Sequence, residues 1–346
     1  MENILKQVVG IDVAKKELVV TLARTDYHQA VEILGHKVLA NNHKGFGAMV
    51  QWVEKLTVSG PAPEYIMEAT GVYHQALAYY LSDAGRHVSV VLPNKISNFS
   101  RTLDINTVTD KTASQTIARF GLGRKMTSWN KPKKIFNELK QLTREREQLV
   151  QENTMLKNQL HAEKSGAFPN QGSIGRIRDR IELVNRQQEQ IMKELEVLAR
   201  SDNGVSAKID NMTTIPGVGM LTAIVVLAET NDFELISSAR QLVSYSGLDV
   251  KLKDSGTSVK GKPRISKKGN RYLRKAMHMP ALSAIRHNHV HKSLFTRLIS
   301  RHGIRMKALV AVQRKLLQLI YTIAEKGIPF NEKYGVTQEI LEVGTA

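Results

Sequence analysis

The first third of the chain alternates between apolar runs and amphipathic stretches. Runs rich in β-branched residues predict strands at Val8–Val13 and Leu18–Leu22, close enough to form a hairpin, and a third strand near Glu32–Leu39. The periodicity that follows predicts a helix at Phe46–Leu56, a strand at Tyr65–Met67, a helix at Tyr73–Ala84, a strand at His87–Leu92 and a helix from about Thr109 to Phe120. Three strands followed by alternating helices and strands indicate a mixed α/β sheet.

Residues 132–200 change to near-heptad spacing, which is typical of long packed helices. The first apolar series is Ile135, Leu139, Leu142, Leu149, Leu156 and Leu160, interrupted at core positions by Arg146 and Asn153, and the second is Ile177, Ile181, Val184, Ile191, Leu195 and Leu198. Ser165–Gly175 predicts the turn between them. Such helices form an antiparallel hairpin or pair with another subunit. Because polar core residues specify a partner, we expect a homo-oligomer, either a dimer or a tetramer.

These changes of pattern predict three domains and a tail. Residues 1–130 form an α/β domain of ribonuclease H type, and residues 131–202 form a coiled-coil assembly domain. Residues 203–330 form a compact helical domain that ends in an apolar helix around Ala308–Ala324, and residues 331–346 are a loose tail. The predicted fold class is therefore α/β plus α.

Charge is distributed unevenly along the chain. There are 50 basic and 32 acidic residues, a formal net charge of +18, and no aspartate or glutamate from Ser255 through Ala324. Positive charge at this density is tolerated most easily beside a phosphate backbone, so we expect a nucleic-acid partner. A solvated basic surface is the alternative interpretation.

Cysteine is absent, which excludes a disulfide framework and a cysteine-rich zinc site and fits a reducing compartment. The first residues lack the build of a signal peptide, and no apolar run is long enough to span a bilayer. We therefore expect a cytoplasmic protein without a membrane segment.

Two carboxylates lie at predicted strand ends. Asp12 closes the first strand in Gly10-Ile11-Asp12, and Glu68 follows the fourth strand. These strands are neighbours in a ribonuclease H sheet, so the two side chains would face one another, and close carboxylates repel unless a cation bridges them. Capping of the next helix near Thr70 is the alternative for Glu68. A strand-end aspartate also opens the actin-like ATPases, but Val13–Lys16 replaces the phosphate-binding glycines that they need.

A third carboxylate, Asp110, enters the last predicted helix of this region. Taken alone, it is a helix N-terminal residue that stabilises the helix dipole. Together with Asp12 and Glu68 it becomes a candidate metal ligand. Position 113, three residues later, shares its helix face and is an alanine.

The last third of the chain holds motifs that fit phosphate binding. The turn Pro216–Gly219 precedes an apolar helix, and N–H groups near Gly217 and Gly219 would be available to a phosphate, with a plain tight turn as the alternative. The candidate phosphate clamps, with surface solvation as the alternative, are Lys260, Lys262, Arg264, Lys267, Lys268, Arg271 and Arg274. The alternating histidines of His287–His291 lack a nearby carboxylate or cysteine and indicate a polar turn rather than a metal site.

In their order along the chain, these motifs resemble one family. They are the GID strand, EATGVY, TDKxxxQxIARFG, a coiled-coil middle, IPGVG, and SG followed by ISKKGNRYLRK, which together span nearly the whole chain. They are similar to those of the DEDD-type insertion-sequence transposases, a family that includes the Piv-like DNA invertases and bridge-RNA-guided recombinases.

The resemblance implies roles for individual residues. Asp12, Glu68 and Asp110 match the first three acidic residues of the family and would hold Mg²⁺. The SG element implies Ser255 as the nucleophile, with Ser258 and Ser266 as fallbacks that spacing alone does not separate from ordinary loop serines. The partners implied are donor and target DNA and a guide RNA.

The fourth acidic position of the family falls on Ala113. Loss of one carboxylate weakens a two-metal site, so we hypothesise that Ala113 is an inactivating substitution of the kind that holds a complex before cleavage.

The sequence thus predicts a transposase that cleaves and exchanges DNA strands through a phosphoserine link, which conserves bond energy for rejoining. One alternative is a metal-dependent nuclease of the Holliday-junction resolvase type, which attacks with water and does not need Ser255. A guide-free Piv-like invertase is a variant of the same class. A non-catalytic nucleic-acid scaffold is the third alternative, and Ala113 favours it.

Overall fold

A computed structural model describes residues 4–57, 60–69, 71–103, 109–234, 236–251, 254–255, 259–260 and 264–331 of the chain, with the backbone alone at 254–255 and 259–260. The chain divides into two compact units, Met1–Lys131 and Pro132–Ala346. No helix among the described residues is long and apolar enough to cross a membrane.

The first unit is built on a five-stranded sheet. Its elements are β1 Ile4–Val13, β2 Glu17–Asp26, β3 Val31–Ala40, α1 His43–Leu56, β4 Glu64–Glu68, α2 Gln75–Asp83, β5 Val88–Val91, α3 Pro93–Ser100 and α4 Asp110–Leu122. The strand order is β3-β2-β1-β4-β5. Strand β2 pairs antiparallel with both β1 and β3, and β4 pairs parallel with both β1 and β5. The predicted ribonuclease H-like domain is therefore confirmed, although α3 was not predicted from the sequence.

The two faces of the sheet carry separate cores. One core joins Val9 and Ile11 of β1 to Phe46 of α1 and Leu77 of α2. On the other face, residues of β1 and β4 pack against α4, which buries Ile117 and Ala118 there. Alternate residues of β1 therefore serve both cores, as expected for a central strand covered on both sides.

The second unit is mainly helical. Its elements are α5 Lys134–Ser165, α6 Gln171–Arg200, α7 Asn203–Thr213, α8 Met220–Thr230, α9 Ala239–Tyr245, β6 Val250–Lys251, β7 Asp254–Ser255, β8 Val259–Lys260, β9 Arg264–Ile265, α10 Arg271–Ala276, α11 His278–His287, α12 His289–His302 and α13 Arg305–Lys326. The predicted helical C-terminal region is confirmed. Its core is centred on the apolar helix α8 and on α13.

Helices α5 and α6 form an antiparallel hairpin within the chain. Asn153 donates its side-chain amide hydrogen to the side-chain oxygen of Asn185, and Gln188 reaches the carbonyl of Leu149. The turn is shorter than predicted because Asn170 caps α6 at Gln171. Since Asn153 finds a polar partner in its own chain, it gives no argument for a second subunit. The coiled-coil and homo-oligomer assignments stay predictions.

Candidate functional site

Asp12 and Glu68 lie at the same edge of the sheet. In the parallel pairing of β1 with β4, Ile11 is opposite Met67, so Asp12 and Glu68 each follow one residue later on neighbouring strands. Both residues are half-buried. Helix α2 begins at Gln75, and its N-cap residue, His74, makes no side-chain capping hydrogen bond. The two carboxylates are therefore adjacent in the topology, as the strand pattern predicted.

Asp110 brings a third carboxylate to Asp12. Helix α4 begins at Asp110, and the side chains and backbones of Thr109 and Thr112 form a reciprocal capping box in front of it. Burial raises the pKa of Asp12, and the negative charges of Asp110 and Glu68 raise it further. Both carboxylates therefore lie within electrostatic range of Asp12.

Close packing fixes α4 against β1 beside this point. A Cβ atom on Gly10 would lie 2.4 Å from the backbone nitrogen of Ala118 and 2.4 Å from the carbonyl oxygen of Ser114, so only glycine permits the contact. The Ser114 hydroxyl also lies 2.8 Å from the hydroxyl of Thr21 on β2. The glycine of the GID motif therefore sets the distance between the helix and the strand that carries Asp12.

Ala113 lies in the first turn of α4 and is half-buried. Its backbone N–H donates to the carbonyl of Thr109 over 2.8 Å, so position 113 belongs to the same helical turn as Asp110. Among the residues that the structure describes, no three histidine, aspartate or glutamate side chains are placed to share one metal ion. The charges of Asp110 and Glu68 act on Asp12, but the three carboxylates do not form a complete ligand set. An aspartate at position 113 would put a second carboxylate into the first turn of α4, next to Asp110.

In the second unit, backbone hydrogen bonds join the basic segment, residues 264–274, to the C-terminal end of α9. Backbone N–H groups of Lys267 and Asn270 donate to the carbonyls of Gly247 and Tyr245 over 3.0 and 2.7 Å. A Cβ atom on Gly269 (φ +147°) would come within 2.3 Å of the Tyr245 carbonyl oxygen. Lys267 has the left-handed φ of +51°, which is uncommon and costly for a side chain other than glycine. The resulting turn leaves Lys267 and Lys268 exposed.

The other basic candidates are placed differently. Arg264 and Arg271 are exposed, and Arg271 donates to the hydroxyl of Tyr272 over 3.0 Å. Arg274 is half-buried and donates to the carbonyl of Ser246 over 2.8 Å, so part of its guanidinium serves the fold. The backbone of Lys260 pairs with that of Asp254, and Lys262 lies outside the described residues.

The three candidate serines also differ. The Ser266 hydroxyl donates to the carboxylate of Asp249, an interaction that disfavours Ser266 as a free nucleophile. Ser255 pairs through its backbone with Val259 in the short β7–β8 ladder, and Ser258 lies outside the described residues. The choice of Ser255 stays a prediction from the resemblance.

The Pro216–Gly219 turn contains two glycines with different surroundings. Gly217 has φ +97°, and a Cβ atom on it would lie 2.7 Å from the backbone of Pro280 and of Ala284, so it serves packing against α11. Gly219 is the exposed N-cap of α8, with open space where a Cβ would lie. Gly219 is therefore the better placed of the two for a phosphate contact.

A buried ionic cluster behind the basic segment was missed by the sequence reasoning. The side chain of Glu229 on α8 is fully buried and accepts two hydrogen bonds from Arg144 on α5, over 2.8 and 3.0 Å. It also accepts one from the Asn270 side chain over 2.6 Å, while Asn270 caps α10. The only signal in the sequence was an isolated glutamate in an otherwise apolar helix. The cluster ties the basic segment to α5 and α8.

Two family models match the chain. The transposase model DEDD_Tnp_IS110 matches residues 9–169, which include Asp12, Glu68 and Asp110, and the model of the IS116/IS110/IS902 transposase family matches residues 209–296. The DEDD match supports a dependence on divalent metal ions.

Curated relatives extend the similarity. The pilin gene-inverting protein of Moraxella bovis is 26% identical over 334 residues, which cover 95% of this chain and 98% of that protein. The insertion element IS110 uncharacterized 43.6 kDa protein of Streptomyces coelicolor is 30% identical over 116 residues, 34% of this chain and 28% of that protein. Among solved structures, T. thermophilus RuvC in complex with a Holliday junction substrate matches 34% of this chain and 97% of its own, with 15% identity and a TM-score of 0.24.

Proposed function

Since the chain is a DNA transposase of the DEDD type and belongs to the IS110 family, we propose that it exchanges DNA strands through a phosphoserine intermediate. The observation that carries the proposal is that Asp12 and Glu68 lie at the adjacent ends of β1 and β4, with the charge of Asp110 also acting on Asp12, within the DEDD-matched region. Three carboxylates at one sheet edge are costly without a cation, and an ion held there would stand beside the DNA backbone.

The proposed metal is Mg²⁺, held by Asp12, Glu68 and Asp110. Oxygen ligands from carboxylates are those that Mg²⁺ prefers, and the ion commonly completes its shell with water and substrate phosphate. Such an ion would stabilise the charge that builds up on the phosphate oxygens during displacement. Asp12 is the central ligand of this set, because both other carboxylates act on it.

The proposed nucleophile is Ser255. Its Oγ would form a bond to the scissile phosphorus and give up its proton, while the bond from phosphorus to the departing sugar oxygen breaks and that oxygen takes up a proton. The link keeps the energy of one phosphodiester for rejoining, so no ATP is required. Lys267, Lys268 and the exposed Arg271 would hold the flanking phosphates as cationic clamps.

We further propose that the protein acts as a homo-oligomer on donor and target DNA and takes a guide RNA. A guide-free, site-specific invertase is the second candidate, because the similarity to the pilin gene-inverting proteins extends over 95% of the chain. RNA that copurifies with the protein as a discrete species supports the guided form, and its absence supports the invertase.

The experiment that tests the mechanism traps a covalent protein–DNA adduct with Mg²⁺ present. We expect Ala113→Asp to form an adduct that mass spectrometry maps to Ser255, and Ala113→Asp with Ser255→Ala to form none. Cleavage without an adduct would identify a water-activated nuclease instead. An Ala113→Asp variant that cleaves no better than the unmodified chain would count against the inactivating role of Ala113.

A further inference from the structure

The exposed face of α12 carries a row of polar and basic residues outside the segments discussed above. A shallow groove on this helix is lined by His289, Lys292, Ser293, Thr296, Arg297 and Ser300. The opposite face packs against α11 and α13 through Leu294, Phe295 and the buried His291. The groove therefore belongs to the solvent-facing side of a helix whose other side is held in the fold.

The floor and the walls of this groove have different chemistry. The floor consists of the short hydroxyl residues Ser293, Thr296 and Ser300, at the three- and four-residue spacing that aligns side chains along a helix. The longer Lys292 and Arg297 stand on either side of it, and Arg301 is exposed one turn beyond Arg297. Small hydroxyl groups between cations let a polyanion approach the helix closely and donate hydrogen bonds to its oxygens.

The cations of this row have no acidic partners within the described part of the chain. Elsewhere in the unit, Lys208 is paired with Asp232 and Lys275 with Glu147. No aspartate or glutamate occurs between Ser255 and Ala324, so an acidic partner for α12 would have to come from outside this segment, as Glu147 does for Lys275. The charge of α12 is thus left for a partner outside the unit.

We propose that this face of α12 binds the sugar–phosphate backbone of duplex DNA. From Lys292 to Arg301 the helix rises about 14 Å, a length over which one DNA strand presents about four phosphates. Two cations that flank a line of three hydroxyl groups, with a third exposed cation one turn beyond Arg297, offer donors to phosphates along that length. The inference rests on the proposed function, because it takes DNA as the substrate. The match to the IS116/IS110/IS902 transposase family model ends within α12, at residue 296.

The test compares two triple variants of the full chain, each losing three exposed cations. The first carries Lys292→Gln, Arg297→Gln and Arg301→Gln on α12. The control carries Lys157→Gln, Arg178→Gln and Arg186→Gln on the α5–α6 hairpin, where the three side chains are likewise exposed. Binding to a short fluorescent duplex of arbitrary sequence is measured by anisotropy over a series of NaCl concentrations.

We expect the α12 variant to bind the duplex roughly tenfold or more weakly at low salt and to lower the slope of log Kd against log salt by about 2 to 3, and the control to change the slope by less than about 0.5. Equal effects of both variants, or an unchanged slope for the α12 variant, would overturn the inference while leaving DNA binding in place. Loss of binding to a single-stranded RNA probe alone would overturn the assignment to DNA. An unmodified chain that binds no duplex would refute the proposed function itself.

A single substitution tests the groove apart from the total charge. Thr296→Glu keeps every cation but puts a carboxylate on the floor. We expect it to weaken duplex binding several-fold more than Thr296→Gln, which has nearly the same size. Equal binding by the two variants would show that the DNA does not lie in the groove.

Discussion

Two carboxylates that are wholly or partly shielded from water, Glu229 in the second unit and Asp12 in the first, lie in opposite electrostatic environments. Glu229 in the second unit is surrounded by donors, with Arg144 and Asn270 satisfying both of its oxygens. Burial raises the pKa of Asp12 in the first unit, and the negative charges of Asp110 and Glu68 raise it further. The first arrangement is complete without any added group. The second would be stabilised by a cation from outside, which would distinguish a metal-binding carboxylate from a structural one.

Among the substitutions that test this comparison, we expect Arg144→Met to have the largest effect on stability. It leaves the fully buried Glu229 carboxylate with the Asn270 side chain as hydrogen-bond donor and the charge of Lys140 nearby. We expect the free energy of unfolding of the second unit to fall by about 3–5 kcal/mol. The matched control is Arg200→Met, which removes an ion pair with Asp210 whose two side chains are 46% and 56% exposed, and which should cost about 0–1 kcal/mol. Urea unfolding followed by circular dichroism measures both. Similar losses in the two variants would mean that the Glu229 cluster is not a structural anchor.

A smaller effect is expected from Gly10→Ala. The added methyl group meets the backbone of α4, so we expect a loss of about 1–3 kcal/mol in the stability of the first unit, together with displacement of Asp110 from Asp12. Gly47→Ala in α1 is the control, because a Cβ there lies 3.6 Å from the Tyr80 hydroxyl and the change favours a helix. If Gly10→Ala unfolds at the same urea concentration as the unmodified chain, the close contact does not position α4.

The smallest effect is the pH dependence contributed by Asp12. Its pKa is raised in the folded chain, so the folded state holds the proton more tightly than the unfolded state does. The contribution to stability is full below the ordinary aspartate pKa and is lost as the pH rises through the raised value. We therefore expect Asp12→Asn to gain stability relative to the unmodified chain on going from acidic to neutral pH without metal. A difference between the two proteins that is independent of pH would contradict the like-charge environment of Asp12.

Much of the first unit could be predicted because its signals are local or follow from topology. Alternation and β-branched runs marked the strands, and the parallel pairing of β1 with β4 then placed Asp12 beside Glu68. Helix α3 was missed because its sequence, PNKISNFS, has few strong helix formers and only two large apolar residues, Ile96 and Phe99. The boundaries of β1 and β2 were predicted too short because charged and polar residues extend both strands.

The second unit shows where such prediction stops. The partners Arg144 and Glu229 are 85 residues apart, and no spacing rule connects them. The bond between Ser266 and Asp249 depends equally on tertiary packing, so all three serines looked alike in the sequence. The hairpin helices were predicted from their heptads, yet the pairing of Asn153 with Asn185 required the register of α5 against α6.

The central claim is that the carboxylates around Asp12 hold a divalent metal ion for strand exchange. Its most direct test is a calorimetric titration with Mg²⁺ at neutral pH of Ala113→Asp and of the same variant carrying Asp12→Asn. The account predicts binding by the first protein, tighter than that of the unmodified chain, and loss of that binding in the second. Mg²⁺ binding that persists unchanged without the Asp12 carboxylate would contradict it.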